Sequence, residues 1–219
     1  MAFGRKGYNR QKIFEWLDDT TLISLALLLR SDNQLEAAEE AASRALNLGE
    51  KVGQLSVCLS RRALGHICRS KGEPEKAIHH FEAALAIASS SNWNTVLFWI
   101  HYYLVGLLLD RGRLDDAHAH AEQAKSRANG GLYLLGHAMH MQARVWYMQR
   151  RLEEARSEAL CAVDTFEKLG VARETESHRK FLQRIEQELN KPVASGQSGF
   201  DCELPQTFVL PPARINRSF

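Results

Sequence analysis

Histidine is the residue type with the clearest chemical potential in this chain, because nine of the 219 residues are histidines. His137 and His140 are spaced i, i+3, which places both on one face of a helix, whereas His118 and His120 face different directions. A structural metal site normally uses four Cys, His or carboxylate ligands, so a pair of histidines does not complete one. We therefore expect no metal site and no cofactor.

Paired acids are the second group that could do chemistry, as a general acid and base. Asp115-Asp116 and Glu153-Glu154 each recur at the same place in an internal repeat, at the predicted first turn of a helix, where the helix dipole favours anions. The chain also lacks a Cys-x-x-Cys pair, a Ser/His/Asp set that stands out from the repeat, and the GxxxxGK[ST] phosphate loop. We therefore expect that the protein is not an enzyme.

Charge and composition exclude several other classes of protein. The net charge is only +2, so the chain lacks the strongly basic character that is typical of nucleic-acid-binding proteins. The first residues lack an apolar signal core, so a cytoplasmic location with reduced thiols is expected. No Asp, Glu, Lys or Arg occurs from Ser89 to Leu109, but the apolar run 96–109 is shorter than the roughly 20 residues that span a bilayer. We expect a buried helix there and no membrane segment.

An alanine ladder shows which elements position these residues. Ala38, Ala77, Ala117 and Ala155 follow one another at intervals of 39, 40 and 38 residues. A second small residue or Phe lies four positions after each alanine, and another Ala lies seven positions after it. Each copy opens on a turn residue: Asn33, Gly72, Gly112 and Arg150. Self-similarity with a period between about 20 and 50 residues indicates a solenoid, which works through an extended surface.

Apolar periodicity predicts two helices in each repeat, and therefore an all-α fold. The predicted hairpins pair 20–31 with 35–48, 53–71 with 74–90, 93–111 with 114–129, and 132–150 with 152–169. Glycines are expected to end the second helices: Gly49, Gly130, Gly131 and Gly170. A last helix over 171–190, with an apolar stripe through Phe181 and Ile185, is expected to cap the array.

The same patterns divide the chain into three parts. Residues 1–19 are predicted to form an N-terminal extension with a short helix around Ile13–Leu17. Residues 20–190 form the α-solenoid with its capping helix. Residues 191–219, which combine a Gly- and Ser-containing stretch with Pro211-Pro212, are predicted to be a disordered tail.

The repeats resemble those of the tetratricopeptide repeat (TPR) family. The second unit carries the family pattern in Leu64, Gly65, Gly72, Ala77, Phe81 and Ala84, and the fourth carries it in Ala143, Trp146, Ala155, Ala159 and Ala162. Two features depart from the family pattern: the period is near 39 and not 34, and the proline expected after each second helix is missing. Long units of this kind are similar to those of kinesin light chain, of bacterial TPR regulators and of arrays attached to signalling NTPases.

The resemblance implies a protein–protein interaction scaffold whose first helices line a concave groove. Transferring the groove-facing positions of the family onto this chain predicts these partner-binding residues: Arg30, Arg62, His66, Arg69, Trp99, Tyr102, His140, Arg144 and Tyr147. Such a surface suits an acidic protein or peptide partner with apolar anchors, because Arg binds carboxylates and aromatic side chains supply contact area. Alternatively, the chain is a repeat-sensor fragment of a larger signalling NTPase that packs on its own missing domains or self-associates, with Trp99 at the contact.

Overall fold

The computed structural model describes residues 17–128 and 131–191, and every regular element within these ranges is a helix. The helices are α1 (Asp19–Ser31), α2 (Leu35–Val52), α3 (Gln54–Ser70), α4 (Pro74–Ser90), α5 (Asn94–Asp110), α6 (Leu114–Arg127), α7 (Leu132–Met148), α8 (Leu152–Leu169) and α9 (Ala172–Leu189). The predicted all-α class, the four hairpins and the last helix are thereby confirmed.

Consecutive helices pack as antiparallel hairpins, and the hairpins stack along the chain. The first helix of each hairpin contacts the first helix of the next one: α1 packs on α3, and α5 packs on α7. The rings of His66 on α3 and Tyr103 on α5 lie 4.2 Å apart, and those of His140 on α7 and His178 on α9 lie 4.1 Å apart. Helices α1, α3, α5, α7 and α9 therefore form one continuous layer, the first-helix layer.

The alanine ladder is the contact surface of the second helices. Ala38, Ala77, Ala117 and Ala155 are all fully buried. In the second unit Phe81 replaces the small residue, and Gly65 on α3 makes room for it. A Cβ atom added to Gly65 would lie 2.9 Å from the Phe81 ring, closer than real Cβ contacts. Small residues thus allow neighbouring helices to approach closely.

The turn residues that open the ladder copies share a left-handed backbone. The φ angles are 59° at Asn33, 75° at Gly72, 70° at Gly112 and 62° at Arg150. Glycine and asparagine tolerate this conformation, whereas for other L residues it costs about 1–2 kcal/mol. The repeat pattern therefore encodes a tight turn between the two helices of each hairpin, and Arg150 adopts it under strain.

One predicted helix end is wrong. Gly49 lies inside α2, which continues to Val52, and the chain turns instead at Gly53 with a φ of 150°. A Cβ atom on Gly49 would lie 2.6 Å from the Ser56 Oγ and 3.1 Å from the Val57 backbone nitrogen. Gly49 is thus required for the close approach of α3. By contrast, Gly170 ends α8 in the left-handed conformation as predicted. Gly130 lies outside the described residues.

The paired acids lie in the first turns of α6 and α8, as predicted. Arg113 Nε donates to Asp116 Oδ2 at 2.8 Å, and Arg151 Nη2 donates to Glu154 Oε1 at 2.8 Å. One acid of each pair therefore has a local partner in the residue at the N-cap of its own helix, and these exposed ion pairs belong to the helix starts.

The apolar run 96–109 forms most of α5 and lies inside the repeat array. Side chains on both sides of this helix are buried, among them Phe98, Leu104 and Leu108. Their neighbours come from α4, α6 and α7, so the chain itself covers the run. Of the helices that the structure describes, none combines the length and apolarity needed to cross a bilayer.

Two predicted features lie outside the described residues: the short helix at Ile13–Leu17, of which only Leu17 is described, and the disorder of the tail beyond Lys191. The three domain limits remain predictions. The capping helix is confirmed, because α9 packs on α8 and buries Phe181, Leu182 and Ile185.

Candidate partner-binding groove

The predicted partner-binding residues all lie on the first-helix layer. Arg30 is in the last turn of α1, Arg62 and Arg69 are on α3, and Trp99 is on α5. Helix α7 carries Arg144 and Tyr147 near its C-terminal end. We call the face that these side chains share the arginine groove.

An aromatic cluster on α5 forms the centre of this face. The rings of Trp99 and Tyr103 stack at a centroid distance of 6.1 Å with an interplanar angle of 26°. Tyr103 also meets His66 edge-on at 4.2 Å and stacks on Phe81 at 5.7 Å. The transfer of family positions missed Tyr103. Its spacing of four residues from Trp99, which brings two side chains together on a helix, was the signal in the sequence.

Three arginines approach this aromatic cluster from α1 and α3. Burial raises the pKa of the Tyr103 hydroxyl, and the positive charges of Arg62, Arg69 and Arg30 oppose that rise. The three guanidinium groups therefore lie within electrostatic range of one phenol. Burial also lowers the pKa of Arg30, and the like charge of Arg69 lowers it further. The positive potential of α1 and α3 is thus focused beside Trp99 and Tyr103.

Arg144 brings a fourth positive charge from α7. Burial lowers its pKa, Tyr102 and Asp110 oppose this effect, and Arg69 adds to it. The only side-chain acceptor that Arg144 Nη1 reaches in the described chain is the Met141 sulfur, at 3.7 Å. Arg144 therefore extends the positive region from α3 across α5 to α7.

These four arginines lack the carboxylate partner that six other arginines of the described residues have. Five more arginines in these ranges share that lack: Arg44, Arg61, Arg127, Arg173 and Arg184. Within residues 17–128 and 131–191, none of the four forms an ion pair with a carboxylate. Arg30 Nε is buried without a hydrogen-bond partner among the same residues. Elsewhere, Arg111 pairs with Glu75 at 2.6 Å and Arg113 pairs with Asp116 at 2.8 Å. A partly buried guanidinium without an anion is an unsatisfied binding group.

Three of the predicted residues are deeply buried. The exposed fraction is 9% for His66, 5% for Tyr102 and 4% for His140. Burial lowers the pKa of His66 well below 6.5, and the positive charges of Arg30, Arg69 and Arg62 lower it further. The His66 imidazole is therefore neutral near pH 7. Their role in binding a partner stays a prediction, and the accessible surface consists of the partly exposed arginines, Trp99 and Tyr147.

His140 belongs to a histidine cluster between α7 and α9. His178 lies 4.1 Å from His140 and 5.8 Å from His137, measured between ring centroids. Burial lowers the pKa of His137 to about 4 and that of His178 to about 3. The rings are therefore neutral near pH 7 and pack α9 onto α7. No group of three or more His, Cys, Asp or Glu residues in the described ranges is arranged to hold a metal ion.

Comparison with known proteins gives one family and several related folds. Residues 18–90 match the family model described as tetratricopeptide repeat. A search of the curated proteins found no match. Among solved structures, BtubC (BKLC) from P. vanneervenii matches with a TM-score of 0.61 and 14% identity, covering 84% of this chain and 86% of that one.

Two further solved structures have the same fold. The putative kinesin light chain of Podosopora anserina, with nearly identical TPR-like repeats, has a TM-score of 0.58 and 14% identity, covering 79% of this chain and 97% of its own. PilF of Pseudomonas aeruginosa has a TM-score of 0.54 and 16% identity, covering 81% and 78%. Residues 18–90 thus match the tetratricopeptide repeat model, and the described helices share the fold of these TPR-like structures.

Proposed function

We propose that this protein is a binding scaffold that docks an acidic partner segment with apolar anchors in the arginine groove. The coarser function, a protein–protein interaction scaffold, is the general role of the TPR fold. The observation that carries the finer proposal is the convergence of Arg30, Arg62, Arg69 and Arg144 on one aromatic cluster, without a carboxylate ion pair within the described ranges.

The arginine charges and the partly exposed aromatic rings of the groove would bind different parts of the partner. Guanidinium groups grip carboxylates with two parallel hydrogen bonds, which gives orientation as well as affinity. Trp99 and Tyr147 are only partly buried, so their rings offer apolar area to a partner. An extended segment with Asp or Glu between Phe or Leu residues would satisfy both at once. Binding, and not catalysis, is the proposed activity.

The proposal is tested with labelled synthetic peptides that share Phe and Leu anchors and differ in charge. One set carries Asp and Glu, and its matched control set carries Asn and Gln at the same positions. We expect the acidic set to bind, with an affinity that falls as salt is added, because exposed charges are screened. Equal binding of both sets, measured by fluorescence anisotropy, would show that the arginines do not select the ligand.

The double variant Arg62→Glu/Arg144→Glu tests the position of the site. A hydrogen bond to a charged group contributes about 1.5–3 kcal/mol, so the affinity for the acidic peptides should fall at least about tenfold. The control is Arg113→Glu/Arg179→Glu, which makes the same charge change at arginines that already have carboxylate partners. Both variants must keep the wild-type circular dichroism spectrum. Unchanged binding by the first variant would refute the groove assignment.

A further inference from the structure

The described chain ends at the edge of the arginine groove. Helices α7 and α9 run parallel, since the ring of His137 faces that of His178, Tyr147 faces Phe181, and Arg150 pairs with Glu188 at 3.7 Å. The C-terminal ends of the two helices therefore lie together. Arg144 is one turn before the end of α7, so residue 191 leaves the fold near the end of α7 that carries Arg144.

The sequence that follows has the composition that the groove selects. Between residues 192 and 213 the only charged side chains are those of Asp201 and Glu203. Phe200 and Leu204 flank them directly, so the five residues Phe-Asp-Cys-Glu-Leu combine two carboxylates with two apolar anchors. The basic residues Arg214 and Arg217 come only later in the chain. Segment 200–204 thus complements the arginine groove in both charge and apolar content.

The connecting segment is long enough to bring these residues to the groove. In the sequence, eight residues (192–199) that include Gly and Ser separate Lys191 from Phe200. A flexible chain of this length spans about 16 Å on average, and about 30 Å when it is fully extended. Packed helix axes are about 8–10 Å apart, so Arg144 on the adjacent α7 lies within the average span. Arg62 and Arg69 on α3, three helix spacings away, lie within the extended one.

We propose that segment 200–204 of the chain docks in its own arginine groove and competes there with the external partner. This inference rests on the function proposed above and adds an intramolecular regulator to the same site. A short flexible linker gives an effective concentration on the order of 1 mM. A segment whose affinity as a free peptide is only about 100 μM would therefore reduce the apparent affinity for a partner about tenfold. Partners must then outcompete the tail, which sets a threshold for binding.

The test compares full-length chains that differ only in the tail. The probe is a labelled peptide of residues 198–206 with Cys202→Ser, and its binding is followed by fluorescence anisotropy. In the variant Asp201→Lys/Glu203→Lys the tail is repelled by the groove, so the probe should bind about tenfold more tightly than it binds the wild type. The matched control, Arg214→Glu/Arg217→Glu, alters two charges of the same tail outside the segment and should not gain affinity in this way.

One further chain and one further set of peptides separate the possible failures. We call the variant Asp201→Lys/Glu203→Lys the tail-reversed chain. Adding Arg62→Glu/Arg144→Glu to it should abolish probe binding, which would place the docking site in the arginine groove. Equal probe affinity for the wild type and the tail-reversed chain would overturn the intramolecular contact while leaving the proposed function intact. If the tail-reversed chain binds the designed acidic peptides but not the probe, the inference fails alone. If it binds neither, the proposed function fails as well.

Light scattering at several protein concentrations distinguishes docking within one chain from docking between two copies. A monomeric wild type with a constant tenfold suppression supports the intramolecular contact. Suppression that disappears on dilution, together with a dimer at high concentration, would overturn it in favour of exchange of tails between copies.

Discussion

The contact between Gly65 and Phe81 provides the sharpest test of the packing. Phe81 is fully buried, and a Cβ atom at position 65 would lie 2.9 Å from its ring. In the wild type, Gly65→Ala should gain about 1 kcal/mol of helix propensity and lose about 1–3 kcal/mol through overpacking. The expected net result is a loss of about 1 kcal/mol in the free energy of unfolding.

The same substitution should change sign when the ring is removed. Phe81→Ala alone should cost about 3–5 kcal/mol, because it leaves a cavity in the core of the second hairpin. In that background the new methyl group at position 65 meets no ring, so Gly65→Ala should stabilise the protein by about 1 kcal/mol. The coupling free energy between the two positions is then about 1–3 kcal/mol.

Urea unfolding followed by far-UV circular dichroism measures all four chains of this cycle. Gly106→Ala on α5 is the control, since its Cβ atom would approach only Arg144 Nη1, at 4.0 Å. It should stabilise the protein by up to about 1 kcal/mol in either background. If Gly65→Ala changes the stability by the same amount in both backgrounds, within about 0.5 kcal/mol, the ring does not limit the space at Gly65 and the reasoning is refuted.

Three further predictions concern the C-terminal half. Gly136→Ala should destabilise the last hairpin by about 1 kcal/mol net, because its Cβ atom would lie 2.8 Å from the Phe166 ring; a gain in urea unfolding would contradict this. Arg150→Gly should stabilise the protein by about 0.5–1 kcal/mol, since it relieves a left-handed residue with a φ of 62°, and a lower unfolding midpoint would count against that strain. His137 and His178 have pKa values of about 4 and about 3, below 6.5, so the unfolded chain binds protons first as the pH falls. Between about pH 6.5 and 4, the free energy of unfolding should therefore fall as the pH falls, by up to about 1.4 kcal/mol per pH unit for each of the two imidazoles. In urea unfolding across that range, His178→Leu should make this pH dependence shallower.

Most of the helical architecture could be predicted from local patterns. The alanine spacing, the turn residues and the apolar stripes act over a few residues, so they indicate helices and hairpin turns without knowledge of the fold. Gly49 shows where this reasoning fails. A glycine near an expected helix end was interpreted as a stop signal, whereas its role is to admit Ser56 and Val57 of the next helix. Contacts between helices leave no local periodic signal.

The helix layer that carries the candidate groove was predictable in outline and not in detail. The family resemblance placed Arg30, Arg62, Arg69 and Arg144 on one layer, and the structure brings their charges together around the α5 aromatic cluster. The family resemblance did not indicate that Tyr103 is central to that cluster. Burial depends on how closely neighbouring first helices pack, so it separates the accessible Trp99 from the buried Tyr102, three residues later on the same helix.

The sequence by itself determined the repeat, the all-α class and the chemical types available on each helix, because all three follow from residue spacing along one chain. The tertiary structure alone decided which charges remain without partners. Arg111 pairs with Glu75 of the preceding hairpin at 2.6 Å, whereas Arg62 and Arg144 form no ion pair with a carboxylate within the described ranges. That difference arises from the stacking of hairpins, which brings together side chains that lie far apart in the sequence.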